Sequence, residues 1–170
     1  MNRSQLEHII RAAAAIAEVD TLIIIGSQAI LGFDPSPPEE LLVSMEVDLY
    51  PPDDVAKADL IDGSIGENSM FHETFGYYAH GIGPETAVLP HGWKSRLIEV
   101  KNDNTNGKSG LCLHPIDLAI SKLAAGREKD LSFVKTMIRN GIVERSAILD
   151  ALLYVDPDFV KKIRIVIDSL

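Results

Sequence analysis

The chain has 170 residues, 46% of them hydrophobic and 24% charged, and this composition is typical of one globular domain with its own core. It contains no apolar run of roughly 18 residues and no basic-then-apolar N-terminus, so we expect no membrane span or signal peptide and predict a cytoplasmic protein. The formal net charge of −9 argues against broad non-specific binding to DNA or RNA, which depends on lysine and arginine. The single cysteine, Cys112, cannot form an internal disulfide.

A helix and a buried strand are the first predicted elements. Ser4 and Glu7 have the spacing of a capping box, which predicts a helix from there to about Glu18. Four consecutive apolar residues then predict a buried strand over residues 21–25. This order places a strand directly before the first glycine of the chain.

Gly26 and Ser27 end that strand and begin a short helix. Glycine allows a ligand to approach the backbone closely, and the first amides of a helix lack backbone partners. The turn therefore indicates an anion site, and a phosphate is the anion that such turns commonly bind. The alternatives are an ordinary tight turn at Gly26 and an ordinary N-cap at Ser27.

Two carboxylates mark the next predicted strand, residues 45–50, which follows a proline-rich loop over residues 32–43. Side chains alternate along a strand with period two, so Glu46 and Asp48 share one face. Mg²⁺ is commonly held by one or two carboxylates together with substrate phosphates. The pair predicts a metal-dependent phosphoryl or nucleotidyl site, and the alternative is the solvent face of an edge strand.

The rest of the chain changes from mixed structure to helix. Three further strands are predicted, at residues 77–81, 96–101 and 110–113, with a hairpin turn between the last two. Helical spacing predicts five further helices, at residues 53–61, 115–125, 128–140, 143–153 and 157–169. Residues 63–76 have no clear period and are predicted to be irregular.

This order predicts an α+β fold with a mixed β-sheet, flanking helices and a C-terminal helical bundle. We expect an α/β core over residues 1–113 and a helical subdomain over residues 114–170, packed together as a single compact unit.

Two sequence blocks resemble the nucleotidyltransferase superfamily. The first is the apolar strand ending in Gly26-Ser27, followed by a short helix and the strand with Glu46-Val47-Asp48. The second is His114-Pro115-Ile116-Asp117-Leu118 with Lys122-Leu123 and Arg127-Glu128-Lys129-Asp130, which is similar to the AbiEii-type branch. That branch contains toxins of abortive-infection and toxin–antitoxin systems and a group of nucleotidyltransferase-like proteins, which this chain resembles more closely. The resemblance covers roughly residues 20–140.

The resemblance implies a third carboxylate on a later strand. Glu99 fits best because apolar residues flank it, and Glu73 and Asp103 are the competing positions. Two features depart from the superfamily pattern: the connection between the two strands is long, and Glu46 stands where aspartate is usual. Glu46 in the first metal position and the open choice of the third acid favour the alternative that the protein binds without catalysis.

The same resemblance implies the remaining site residues and the cofactor. Glu46, Asp48 and Glu99 would act as the catalytic acids and hold Mg²⁺ or Mn²⁺. The nucleotide phosphates would contact five residues: Gly26, Ser27, Lys122, Arg127 and Lys129. For Lys122 the alternative is a solvated side chain, and for Arg127 and Lys129 it is a charged helix start in which Asp130 bonds Arg127.

The implied activity is transfer of a nucleoside monophosphate from an NTP donor to an unknown hydroxyl acceptor on RNA, protein or a small molecule. The resemblance suggests a role in a toxin–antitoxin or phage-defence system, and the acidic net charge suits a basic partner such as a cognate antitoxin. The alternative function is a non-catalytic module of the same fold that binds a nucleotide or a protein and acts in regulation.

Overall fold

The computed structural model describes residues 1–168 and has the predicted α+β fold. Within residues 1–168 the strands are β1 (Thr21–Ile24), β2 (Glu46–Tyr50), β3 (Tyr78–Gly81), β4 (Ile98–Val100) and β5 (Ser109–Cys112). In the described residues the α-helices are α1 (Arg3–Ala17), α2 (Ile30–Phe33), α3 (Ala58–Ile65), α4 (Met70–Phe75), α5 (Pro115–Ala125), α6 (Glu128–Arg139), α7 (Arg145–Ala151) and α8 (Pro157–Asp168). None of these helices has the length and apolar character that crossing a membrane requires.

The strands form one mixed sheet in the order β3-β2-β1-β5-β4. The central strand β1 runs antiparallel to β2 and parallel to β5, while β2 and β3 run parallel to each other. Leu22 and Ile24 on one face of β1 and Ile23 on the other are all buried, as expected for a central strand covered on both faces. The order places β2 inside the sheet, beside β1, and places β4 at the far edge.

The N-terminal cap of α1 differs from the prediction. The capping box is formed by Asn2 and Gln5, because the Asn2 side chain accepts a hydrogen bond from the Gln5 backbone N–H. Glu7 is buried instead, and it accepts hydrogen bonds from the side chains of Asn102 and Asn104 at 2.8 and 2.9 Å. A polar residue that resembled a cap thus joins α1 to the turn between β4 and β5.

The prediction of an irregular segment over residues 63–76 is wrong. Helix α3 extends to Ile65, and α4 begins after Ser69, whose hydroxyl accepts a hydrogen bond from the His72 backbone N–H. The ring of Phe75 packs edge-on against His8 of α1, with ring centroids 4.8 Å apart. Short helices such as α4 depend on tertiary packing, which local sequence periodicity does not reveal.

The C-terminal helices begin and end close to the predicted positions. Pro115 opens α5, and Gly126, with φ of 71°, ends it in the left-handed region that favours glycine. Helix α5 packs against α2, α6, α7 and α8, so it forms the centre of the helical layer. The last predicted helix matches α8 through Asp168, and its final residue, Ser169, lies outside the described residues.

Candidate functional site

The two carboxylates predicted on β2 share one face of the sheet. Glu46 and Asp48 are half-buried, and they alternate with the fully buried side chains of Val47 and Leu49. Because β2 lies between β1 and β3, the pair is not on an edge strand. The edge-strand alternative is therefore wrong, and the pair lies over the interior of the sheet.

The parallel strand β3 places two polar side chains opposite the pair. Tyr78 is in register with Glu46, and its hydroxyl donates a hydrogen bond to Glu46 Oε2 at 3.2 Å. His80 is in register with Asp48, and its Nδ1 lies 3.0 Å from Asp48 Oδ1. Burial, together with the charge of Glu46, raises the pKa of Tyr78 to about 12, so this side chain remains a donor at neutral pH.

Gly26 lies at the end of β1 against Asp48. A Cβ atom built at Gly26 would lie 2.0 Å from Asp48 Oδ2 and 2.7 Å from both Asp48 Cβ and Cγ. The φ angle of Gly26 is −86°, which any residue adopts, so conformational freedom does not explain the glycine. The glycine instead allows the carboxylate of Asp48 to sit against the strand end.

A network of two cations and one buried carboxylate lies on the other side of this turn. Lys122 Nζ donates a hydrogen bond to Ser27 Oγ at 2.7 Å and lies 3.1 Å from Asp130 Oδ1. Arg127 Nε lies 2.6 Å from Asp130 Oδ2. Burial alone would raise the pKa of Asp130, but the hydrogen bonds and charges of Arg127 and Lys122 outweigh it and lower that pKa.

The structure agrees in part with each interpretation of the basic residues, phosphate contact and a charged helix start. Asp130 does bond Arg127, as the charged-helix-start alternative requires. Lys122 is not an ordinary solvated lysine, because its side chain is 13% exposed and its ammonium group contacts the Gly26-Ser27 turn. Lys129 is exposed beside them.

Burial and the neighbouring Glu46 make the negative charge of Asp48 unfavourable when no cation lies between the two carboxylates. The pKa of Asp48 is raised chiefly by burial and then by the neighbouring charge of Glu46. The hydrogen bond from His80 and the charge of Lys122 act in the opposite direction without cancelling those effects. A cation between the two carboxylates would relieve this cost.

The acid pair and the basic network open into one cavity of about 680 Å³. This volume is within the range of roughly 300–1,000 Å³ that is usual for small-molecule and cofactor sites. Apolar side chains contribute part of the wall: Val43, Ile82, Ala87 and Phe133. Seven of the eight residues predicted for the site line the cavity: Gly26, Ser27, Glu46, Asp48, Lys122, Arg127 and Lys129.

The eighth residue, Glu99, lies elsewhere. It is exposed on β4, and its Oε1 accepts a hydrogen bond from Ser109 Oγ at 2.6 Å. Strands β5 and β1 separate β4 from β2, so the structure does not bring Glu99 to the pair. The competing positions, Glu73 on α4 and Asp103 in the turn before β5, do not line the cavity either.

His80 is the residue that sequence reasoning missed. One ligand atom from each of Glu46, Asp48 and His80 lies within 4.8 Å of the other two. The signal in the sequence was the alternation of Tyr78, Ala79 and His80, which repeats the polar-apolar-polar pattern of the acid-bearing strand. This pattern indicates a shared site only because β3 pairs with β2 and places His80 opposite Asp48.

A mixed sheet that places a Gly-Ser turn beside two carboxylates of the adjacent strand has the architecture of a nucleotidyltransferase. Comparison with protein families agrees with this class. Residues 4–152 match the family described as "nucleotidyltransferase of unknown function" (DUF6036), and the chain belongs to that family. Comparisons with curated proteins and with solved structures gave no match. Membership of the AbiEii-type branch stays a prediction.

Proposed function

We propose that this protein is a metal-dependent nucleotidyltransferase that moves a nucleoside monophosphate from an NTP to a hydroxyl acceptor. The observation that carries the proposal is the shared cavity, in which the Glu46 and Asp48 carboxylates face the Gly26-Ser27 turn and the Lys122 ammonium. A site with separate acidic and basic halves suits a triphosphate that binds together with a cation.

The donor set fits a hard divalent cation. Carboxylate oxygens are the ligands that Mg²⁺ and Mn²⁺ prefer, and Glu46 and Asp48 present them from one strand face. When bound, the cation would supply charge stabilisation for the transferred phosphoryl group and the leaving pyrophosphate. The pair would thus hold the cation at the reacting end of the nucleotide.

The basic side chains of the cavity would orient the phosphates of the nucleotide. Lys122 is held by Ser27 and Asp130, so its ammonium group has a fixed position at the Gly26-Ser27 turn. Arg127 and Lys129 extend the positive charge along the wall, and both are exposed enough to meet a ligand. Donors fixed in advance bind a phosphate with a smaller loss of side-chain entropy.

The acceptor would be a hydroxyl group of RNA, protein or a small molecule. A toxin–antitoxin or phage-defence role, with an antitoxin as partner, is supported by the resemblance of the segment from His114 to Asp130 to the AbiEii-type branch. The contrasting function is a non-catalytic module that binds a nucleotide or a protein, and metal-dependent nucleotide binding separates the enzyme from the protein-binding form of that module.

Thermal unfolding tests the proposal. The unfolding temperature would be measured with each of the four NTPs, with and without Mg²⁺ or Mn²⁺, for the wild type, Asp48→Asn and Glu99→Gln. A ligand at a hundredfold excess over its Kd stabilises the native state by about 2.7 kcal/mol. We expect a metal-dependent increase in the wild type and in Glu99→Gln, whose carboxylate lies outside the cavity, and its loss in Asp48→Asn.

Two results would contradict the proposal. An unchanged metal-dependent increase in a well-folded Asp48→Asn variant would show that the site lies elsewhere. An unfolding temperature that no NTP raises in the wild type would favour the partner-binding module over the enzyme.

A further inference from the structure

The third side chain at the acid pair is an imidazole. His80 lies across from Asp48 in the β2–β3 register, and its side chain is 48% exposed at the cavity. The separation of 3.0 Å between Nδ1 and Asp48 Oδ1 suits a hydrogen bond. It also suits two neighbouring ligands of one cation, since ligand atoms at about 2.1 Å from an octahedral ion lie roughly 3 Å apart.

The set of three is compact enough to hold one ion. Its ligand atoms lie within 4.8 Å of one another, and ligands across an octahedral ion are separated by roughly 4 Å. The His80 side chain is 48% exposed, so the surrounding packing leaves it room to adjust to a bound ion. Tyr78 bonds Glu46 Oε2 and so orients this carboxylate.

The neighbouring cations do not neutralise the pair directly. Lys122 and Arg127 both bond Asp130, which is 1% exposed. In the part of the chain that the structure describes, the hydrogen bonds to the side chains of Glu46 and Asp48 come from Tyr78 and His80. Within the described residues, neither carboxylate therefore bonds a lysine or an arginine, and both stay available to an added cation.

We propose, on the basis of the proposed function, that His80 is the third ligand of the metal site and that it shifts the preferred cation from Mg²⁺ to a first-row transition ion such as Mn²⁺. Mg²⁺ strongly favours oxygen ligands. Imidazole nitrogen suits first-row transition ions, and the affinity of such a site for these ions rises from Mn²⁺ through Fe²⁺ to Co²⁺. One nitrogen and two carboxylates thus form a mixed ligand set. A purely carboxylate triad would not discriminate in this way.

Electron paramagnetic resonance of bound Mn²⁺ tests this assignment, because pulsed spectra detect a directly coordinated imidazole nitrogen. The protein would be titrated with Mn²⁺ alone, and competition by Mg²⁺ would give both dissociation constants. The variants would be His80→Asp, which restores an all-oxygen set, Asp48→Asn, and His91→Asn. His91 is exposed in the segment before β4, so it is a matched histidine control.

We expect a nitrogen signal from bound Mn²⁺ in the wild type and in His91→Asn. His80→Asp is expected to bind Mn²⁺ without that signal and with a smaller preference for Mn²⁺ over Mg²⁺. Asp48→Asn should lose the site. Far-UV circular dichroism of each variant would verify that it is folded.

Two results would overturn the inference. Binding of Mn²⁺ that depends on Asp48 but shows no imidazole nitrogen would make His80 a hydrogen-bond partner only, and would leave the proposed nucleotidyltransferase intact. Absence of any Asp48-dependent cation binding would also reject the ligand set. The NTP-dependent unfolding experiment would then decide the proposed function separately.

Discussion

Replacement of Gly26 by alanine should disturb the site through Asp48. The three atoms nearest to the added Cβ all belong to Asp48, and the shortest distance, 2.0 Å to Oδ2, is far below van der Waals contact. The carboxylate must therefore move. Overpacking of this kind usually costs about 1–3 kcal/mol of stability, and we expect Gly26→Ala to fall in that range and to weaken metal binding.

A double-mutant cycle isolates this contact. Asp48→Gly is the suitable partner, because Asp48 Cβ also lies 2.7 Å from the added methyl group and an alanine would retain it. With Asp48 removed, Gly26→Ala should be neutral or stabilise the protein by about 0.4–1 kcal/mol, since its backbone angles suit alanine. The two changes should therefore couple by about 1–4 kcal/mol.

Urea unfolding of the wild type, the two single variants and the double variant measures the coupling, provided that the dependence of the unfolding free energy on urea concentration is the same in all four. Additive effects, within about 0.5 kcal/mol, would refute the close approach of Asp48 to Gly26. A large loss of stability from Gly26→Ala in both backgrounds would show that another neighbour fills the space.

Two further predictions concern stability. Asp48→Asn should stabilise the protein at pH 7, because the raised pKa of Asp48 in the folded state makes its negative charge costly above that pKa. The difference in unfolding temperature between the variant and the wild type should shrink as the pH falls toward about 4, where the wild-type carboxyl becomes protonated. A difference that grows toward low pH would contradict this prediction. Asp117→Ala should lower the free energy of urea unfolding by about 1.5–3 kcal/mol, because it removes the buried carboxylate that accepts two hydrogen bonds from Arg96. Lys108→Met, which removes the partner of the exposed Asp20 carboxylate, should change stability little, and equal effects would contradict the role of carboxylate burial.

The acid-bearing strand was predictable because its information is local. The alternation of Glu46, Val47 and Asp48 alone indicates which side chains share a face. Glu99 has a similar local pattern between apolar neighbours, but the strand order places it at the far edge of the sheet. Local alternation therefore shows which face a carboxylate occupies on its own strand, and does not show which strand lies beside it.

The missed features depend on contacts between distant parts of the chain. His80 meets Asp48 because β3 pairs in parallel with β2, and a parallel pair joins strands through a long connection that leaves no local signal. The contact of Lys122 with Ser27 spans 95 residues, so the sequence predicted a basic segment and not its position at the turn. Both contacts, His80 with Asp48 and Lys122 with Ser27, therefore follow from the tertiary structure and not from local sequence.

Asp130 explains how a site can contain free carboxylates and cations together. Without Asp130, the acid pair of Glu46 and Asp48 would be the other negative charge of the cavity that acts on these cations, since the pKa of Arg127 is raised chiefly by its hydrogen bond to Asp130 and further by the charges of Asp48 and Glu46. Asp130, buried beneath the two cations, holds them by hydrogen bonds instead. If the proposed function is correct, Asp130 would thus leave the acidic half of the cavity to a metal ion and would hold the two cations in position for phosphate.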